Sequence, residues 1–106
     1  MAPTMLLTLQ DKLQIKQDVV VALRDEREIR KIVIFGSFTT SNHPNDIDIA
    51  IFQDSNQTYL PLAMKYRRLL RSVAPDIPVD VVPVRPHPVP CAFLDEILKG
   101  ETIYEH

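Results

Sequence analysis

Apolar positions along this chain change their period several times, and each change marks an element. From Leu9 to Arg27, Leu13, Val20 and Leu23 share one helical face, with Ile15, Val19 and Ala22 widening it. The charged run Arg24-Asp25-Glu26-Arg27-Glu28 closes that helix. The β-branched run Lys31 to Phe35 then reads as a buried strand ending in a Gly36-Ser37 turn, and Ile47 to Phe52 as a second strand. A helical period returns in Tyr59, Ala63, Tyr66, Leu70 and Val73, the predicted buried face of a helix capped by Thr58. Pro61 falls at its third position, where a missing N–H costs nothing. Val79 to Val82 is a third strand. The four prolines between Pro83 and Pro90 forbid a helix interior. A short apolar helix from about Cys91 to Lys99 follows, stopped by Gly100, and the tail residues Ile103 and Tyr104 pack back. The order α-β-β-α-β-α predicts a two-layer α/β fold, with a short mixed sheet of at least three strands and helices packed on one face.

With 106 residues, the sequence 1–106 reads as one small domain that hides roughly 60–70% of its unfolded surface. A net charge of -2 argues against a protein that coats nucleic acid, which needs a basic stripe. The lone Cys91 rules out an internal disulfide and fits a reducing compartment. No run approaches the roughly 20 apolar residues that span a bilayer, so the expectation is a cytoplasmic protein without membrane contact.

Candidate chemistry enters with the acids. Asp46 and Asp48 stand two apart, so on a strand they project from one face while Ile47 and Ile49 point to the other. Two like charges held that close are costly unless a cation sits between them, and magnesium bridging triphosphate oxygens supplies one. Asp80 interrupts the Val79-Asp80-Val81-Val82 strand. If that strand lies beside the second, three carboxylates gather opposite the Gly-Ser turn as a site for one or two magnesium ions. Gly36 lets backbone N–H groups approach an anion, and Ser37 adds its hydroxyl and N–H.

This combination of Gly-Ser, loop, Asp-x-Asp and a later strand Asp resembles the minimal nucleotidyltransferase domain of the DNA polymerase beta superfamily. More narrowly, it resembles the antitoxin partners of HEPN-domain toxins, whose short helix and hydrophobic-Tyr tail are echoed from Phe93 to Tyr104. The resemblance covers nearly the whole chain in element order and is most specific in residues 32–52 and 79–82. It implies that Gly36 and Ser37 grip a nucleoside triphosphate, that Asp46 and Asp48 bind Mg2+, and that Asp80 completes the metal site and helps activate an acceptor hydroxyl. It departs in the loop Phe38 to Asn45, whose eight residues are fewer than usual and contain no arginine.

The function this implies is magnesium-dependent transfer of a nucleoside monophosphate from an NTP, ATP foremost, to a hydroxyl on a partner protein. The alternative is a non-catalytic module that binds a partner and keeps a vestigial nucleotide site. A HEPN-type partner, a homo-oligomer, or both are expected, because so short a chain has no second domain to build an acceptor pocket. Lys65, Arg67, Arg68 and Arg71 form a basic helical face, read as solvated or as a contact surface together with the tail helix. His43 and His87 read as loop residues, Cys91 as a small buried hydrophobe, and Asp76 and Asp95 as exposed acids.

Overall fold

The computed structural model describes residues 6–85 and 94–106. Its elements run α1 (Leu9–Leu23), β1 (Ile29–Phe35), α2 (Ser37–Thr40), β2 (Ile47–Gln53), α3 (Tyr59–Leu69), β3 (Val79–Val84), α4 (Leu94–Leu98) and β4 (Glu101–Glu105). The strands form one mixed sheet in the order β3-β2-β1-β4. β1 pairs antiparallel with both β2 and β4, while β2 and β3 run parallel through the α3 crossover. This is the expected two-layer α/β architecture.

Strand alternation sorts the core into two sides. Ile32 and Ile34 of β1, Ile47, Ile49 and Ile51 of β2, and Val81 of β3 meet Ile15, Val19 and Leu23 of α1 and Leu62 and Tyr66 of α3. The intervening residues Val33, Phe35, Ala50 and Val84 form a smaller cluster with Ile97 of α4. Asp48 and Asp80 share the parity of this second side, although Asp80, on the edge strand, still comes within reach of Arg67 of α3.

Helix α1 begins with a capping box that the apolar pattern did not disclose. The Thr8 hydroxyl accepts from the Asp11 N–H, and the Thr8 N–H donates to the Asp11 carboxylate, both at 3.0 Å. Its buried line is Ile15, Val19, Leu23. Leu13, expected on the buried face, lies about 200° around the helix from Ile15 and is exposed. In α3 the line Leu62, Tyr66, Leu70 is buried with Ala63. The whole first turn, Tyr59 to Pro61, stands clear of the core, so Tyr59 is exposed rather than buried. Thr58 occupies the N-cap, but its side chain makes no cap bond.

The tail does more than pack back, since residues 101–105 are the fourth strand of the sheet. Gly100 makes that possible through close approach. A Cβ there would meet the Ile34 carbonyl at 2.5 Å and Val33 Cγ1 at 2.8 Å, so only glycine lets the chain turn onto β1. Strand β3 runs two residues beyond Val82, taking in Pro83; as an edge strand it tolerates the missing donor. The expected helix over 91–99 is seen as Leu94–Leu98, and its start at Cys91 lies outside the described residues, as does His87.

Candidate active site

One rung of the sheet organises the acids. Phe35 of β1 sits opposite Asp48 of β2, and Asp48 opposite Asp80 of β3. The parallel β2–β3 pair is started by the Ile47 N–H donating to the Pro78 carbonyl at 2.9 Å, which fixes the register that makes the two aspartates neighbours. Asp46 enters just ahead of β2. One carboxylate oxygen from each of Asp46, Asp48 and Asp80 lies within 4.8 Å of the others. The three acids that the sequence singled out therefore converge.

Gly36 follows Phe35 at the end of the same rung, with φ 78° and ψ -154°, a backbone region that essentially only glycine occupies. The backbone conformation thus demands glycine, and a side chain there would in addition displace the Asp48 carboxylate. Ser37 opens α2, whose first N–H groups have no carbonyl ahead of them within the helix. The turn is held by Thr39, whose hydroxyl donates to the Gly36 carbonyl at 2.9 Å.

The short loop after the turn is braced by α1. Phe38 is fully buried, the Lys12 ammonium donates to the Ser41 carbonyl at 2.7 Å, and the Leu7 N–H donates to the Asn42 carbonyl at 2.8 Å. Lys12 also lies over the Phe38 ring. Nothing in the apolar pattern marked Lys12, whose partner is 29 residues away. His43 is exposed, as expected.

Burial pushes the Asp48 carboxyl up to about 6, and the charges of Asp46 and Asp80 add to the effect. The trio thus lacks an internal cation sufficient to hold Asp48 ionised. Among the described residues, the ion pair made by the trio is that of Arg67, whose Nη2 stands 3.8 Å from Asp80 Oδ1 in a solvent-exposed pair. A cluster of oxygen-only, carboxylate donors fits a hard divalent cation such as Mg2+.

The basic face of α3 divides in two. Arg67 and Arg71, the latter in the turn after the helix ends at Leu69 rather than on its face, line a cleft beside Asp80. Lys65 turns the other way, bonding Glu26 at 2.6 Å and Glu28 at 3.1 Å, and is therefore no free contact residue. Tyr66, fully buried, donates its hydroxyl to Glu28 at 2.8 Å.

A mixed sheet crossed by one helix, with two acids on adjacent strands and a third just ahead of one of them, beside a glycine turn, defines a nucleotidyltransferase-type architecture. Residues 8–106 match the family described as Polymerase beta, Nucleotidyltransferase, and the chain belongs to that family. Among solved structures, the fold is similar to a chain of the tri-AMPylated Shewanella oneidensis HEPN toxin in complex with MNT antitoxin. The TM-score is 0.66 at 21% identity, covering 90% of this chain and 73% of that one. A chain of the MntA-HepT toxin-antitoxin is similar at TM-score 0.63 and 20% identity, covering 87% and 71%. A toxin-antitoxin structure with AMP-PNP gives TM-score 0.68 and 23% identity, covering 86% and 73%. No curated protein sequence matches the chain. Among the described residues, no helix is long and apolar enough to cross a membrane.

Proposed function

We propose that this chain is a minimal nucleotidyltransferase that moves a nucleoside monophosphate from ATP, or another NTP, to a hydroxyl on a partner protein. The observation that carries the reading is the rung itself, with a glycine-only turn at one end and three carboxylates within mutual reach beside it. In this reading Asp46, Asp48 and Asp80 hold magnesium, and Gly36 and Ser37 present backbone and hydroxyl donors to the triphosphate. Magnesium, when bound, supplies charge neutralisation on the phosphoryl groups and acidifies the acceptor hydroxyl. The acceptor oxygen attacks the α-phosphorus, the bond to pyrophosphate breaks, and Asp80 orients the hydroxyl and takes its proton. A HEPN-type protein is the partner favoured, because the fold is shared with chains from HEPN toxin complexes.

The test is incubation of the chain with labelled ATP, magnesium and the co-expressed product of the neighbouring gene, followed by intact mass of each protein. The expected result is a nucleotide mass added to the partner and none without magnesium. Tight complex formation with no mass added would replace the enzyme by a binding module.

A further inference from the structure

We propose that Arg67 and Arg71 form a clamp on the acceptor side of the site, taking a carboxylate of the partner protein next to the hydroxyl that is modified. The inference rests on the nucleotidyltransferase reading and adds to it the chemistry of the acceptor. A cleft of about 250 Å3 adjoins Asp80, with Arg67, Arg71 and Asp80 as its charged walls and Leu70, Pro75 and Ile77 among its apolar ones. Asp80 belongs both to this cleft and to the acid trio.

Asp80 holds Arg67 only loosely, through an exposed pair at 3.8 Å. Exposed pairs of this kind are weak, and a divalent cation on Asp80 competes for the same carboxylate. With Asp80 so engaged, neither guanidinium of the cleft has another ion-pair partner among the described residues. Two arginines four residues apart suit a planar oxyanion, which each can grip with two N–H groups.

Position decides which molecule brings that anion. The rung runs Phe35, Asp48, Asp80, so the backbone of the glycine turn and that of Asp80 stand two strands apart, about 10 Å at the usual strand spacing. The cleft is lined by α3, the segment that follows it and β3, and by no residue of β1, Gly36 or α2. An anion held there belongs to the acceptor rather than to the donor triphosphate. The lining favours a protein over a polynucleotide, since it holds two arginines, aliphatic side chains and no aromatic ring. A nucleic-acid groove needs a run of cations and rings on which bases stack.

The test uses the whole chain, with magnesium and a non-hydrolysable ATP analogue, and two fluorescent peptides that share one tyrosine. One peptide flanks it with glutamates and the other with glutamines. Wild-type protein is expected to bind the acidic peptide at least fivefold more tightly than the neutral one, and the Arg67→Gln/Arg71→Gln protein to show no difference. Triphosphate affinity should not fall by more than about twofold in the double variant. Calorimetry with Mn2+ alone should show two- to fivefold tighter metal binding in Arg67→Gln, the scale of a lost exposed ion pair. An acidic peptide that binds no better than the neutral one, whether both bind or neither does, overturns the clamp. A fivefold loss of triphosphate affinity also overturns it, by placing the arginines on the donor. A single-stranded oligonucleotide that outcompetes the acidic peptide overturns it in favour of a polynucleotide acceptor. Absence of magnesium-dependent triphosphate binding in the wild-type protein would instead overturn the nucleotidyltransferase reading and the clamp with it.

Discussion

Two groups of acids in this small protein, one around half-buried Glu28 and one around half-buried Asp48, are treated in opposite ways. Burial works to raise the Glu28 carboxyl, but a backbone N–H, the Tyr66 hydroxyl and Lys65 outweigh it and hold the group below its ordinary value. Lys65 in turn is held above its ordinary value, chiefly by its hydrogen bond to Glu26. That network is complete within the chain. The aspartate trio is not, since burial and two neighbouring carboxylates push Asp48 up, and among the described residues its ion pair is with a loosely held arginine on Asp80. An acid satisfied from inside ties elements together, here α3 to the turn after α1. An acid left short of charge from inside is suited to a cation from outside.

The sharpest way to break this contrast is to neutralise one acid in each group. Asp48→Asn is expected to lower nucleotide transfer at least 100-fold, about 2.7 kcal/mol in the barrier. It should also abolish magnesium-dependent triphosphate binding in calorimetry, while the metal-free protein melts no lower than wild type. Glu28→Ala is expected to do the reverse. It leaves the buried Tyr66 hydroxyl without its acceptor and costs about 1–3 kcal/mol of stability, read as a lower midpoint in urea. Metal and triphosphate affinity should be unchanged. If Glu28→Ala weakened metal binding as much as Asp48→Asn, the two groups would not be separate devices.

Gly36→Ala stands between the two. The strained backbone alone costs about 1–3 kcal/mol for a residue with a side chain. The added methyl also pushes on Asp48, so stability and metal affinity should fall together. Gly100→Ala should lower stability alone, because its crowding is with β1 and not with the acids. Thermal melts with and without magnesium and the triphosphate analogue separate these outcomes. A Gly36→Ala protein of wild-type stability would show that the turn can relax.

Much of this was legible in the chain because it is local. The two-residue period of Ile32 to Phe35 and Ile47 to Phe52 needs no distant partner to be read, and Asp46 and Asp48 share a face by spacing alone. Asp80 was visible only as a charge among valines. Its meeting with Asp48 depends on the parallel register of β2 and β3, set across 32 residues. Strand β4 escaped notice because Glu101-Thr102-Ile103-Tyr104-Glu105 carries just two large apolar residues, and its place is made by Gly100 fitting against β1. The division of the α3 basic face was equally hidden. Lys65 and Arg67 are two residues apart, and only the surrounding fold supplies Glu28 to one and Asp80 to the other.

The smallest expected effect, and the finest probe of the contrast, is the pH dependence of stability without metal. Asp48 titrates near 6 in the folded protein against an ordinary value of 3.8. Between those values the folded state holds more protons than the unfolded one, so this group makes stability fall as pH rises through the window, with the full penalty above about 6. Glu28 has the opposite sign. Its lowered value contributes stability above its ordinary 4.5, and that contribution is lost as pH falls through the folded value. Because Asp48 is partly open to solvent, screening holds its swing to about 1 kcal/mol, a few degrees in melting temperature. Melting wild type and Asp48→Asn in a chelator from pH 3.5 to 7.5 isolates it. The variant's advantage should grow from about pH 4 to 6 and then level off. Magnesium with the triphosphate analogue should reverse the order at pH 7.5, because only the wild-type site gains from binding. A difference that stays flat across the range would mean that Asp48 meets its charge inside the fold after all.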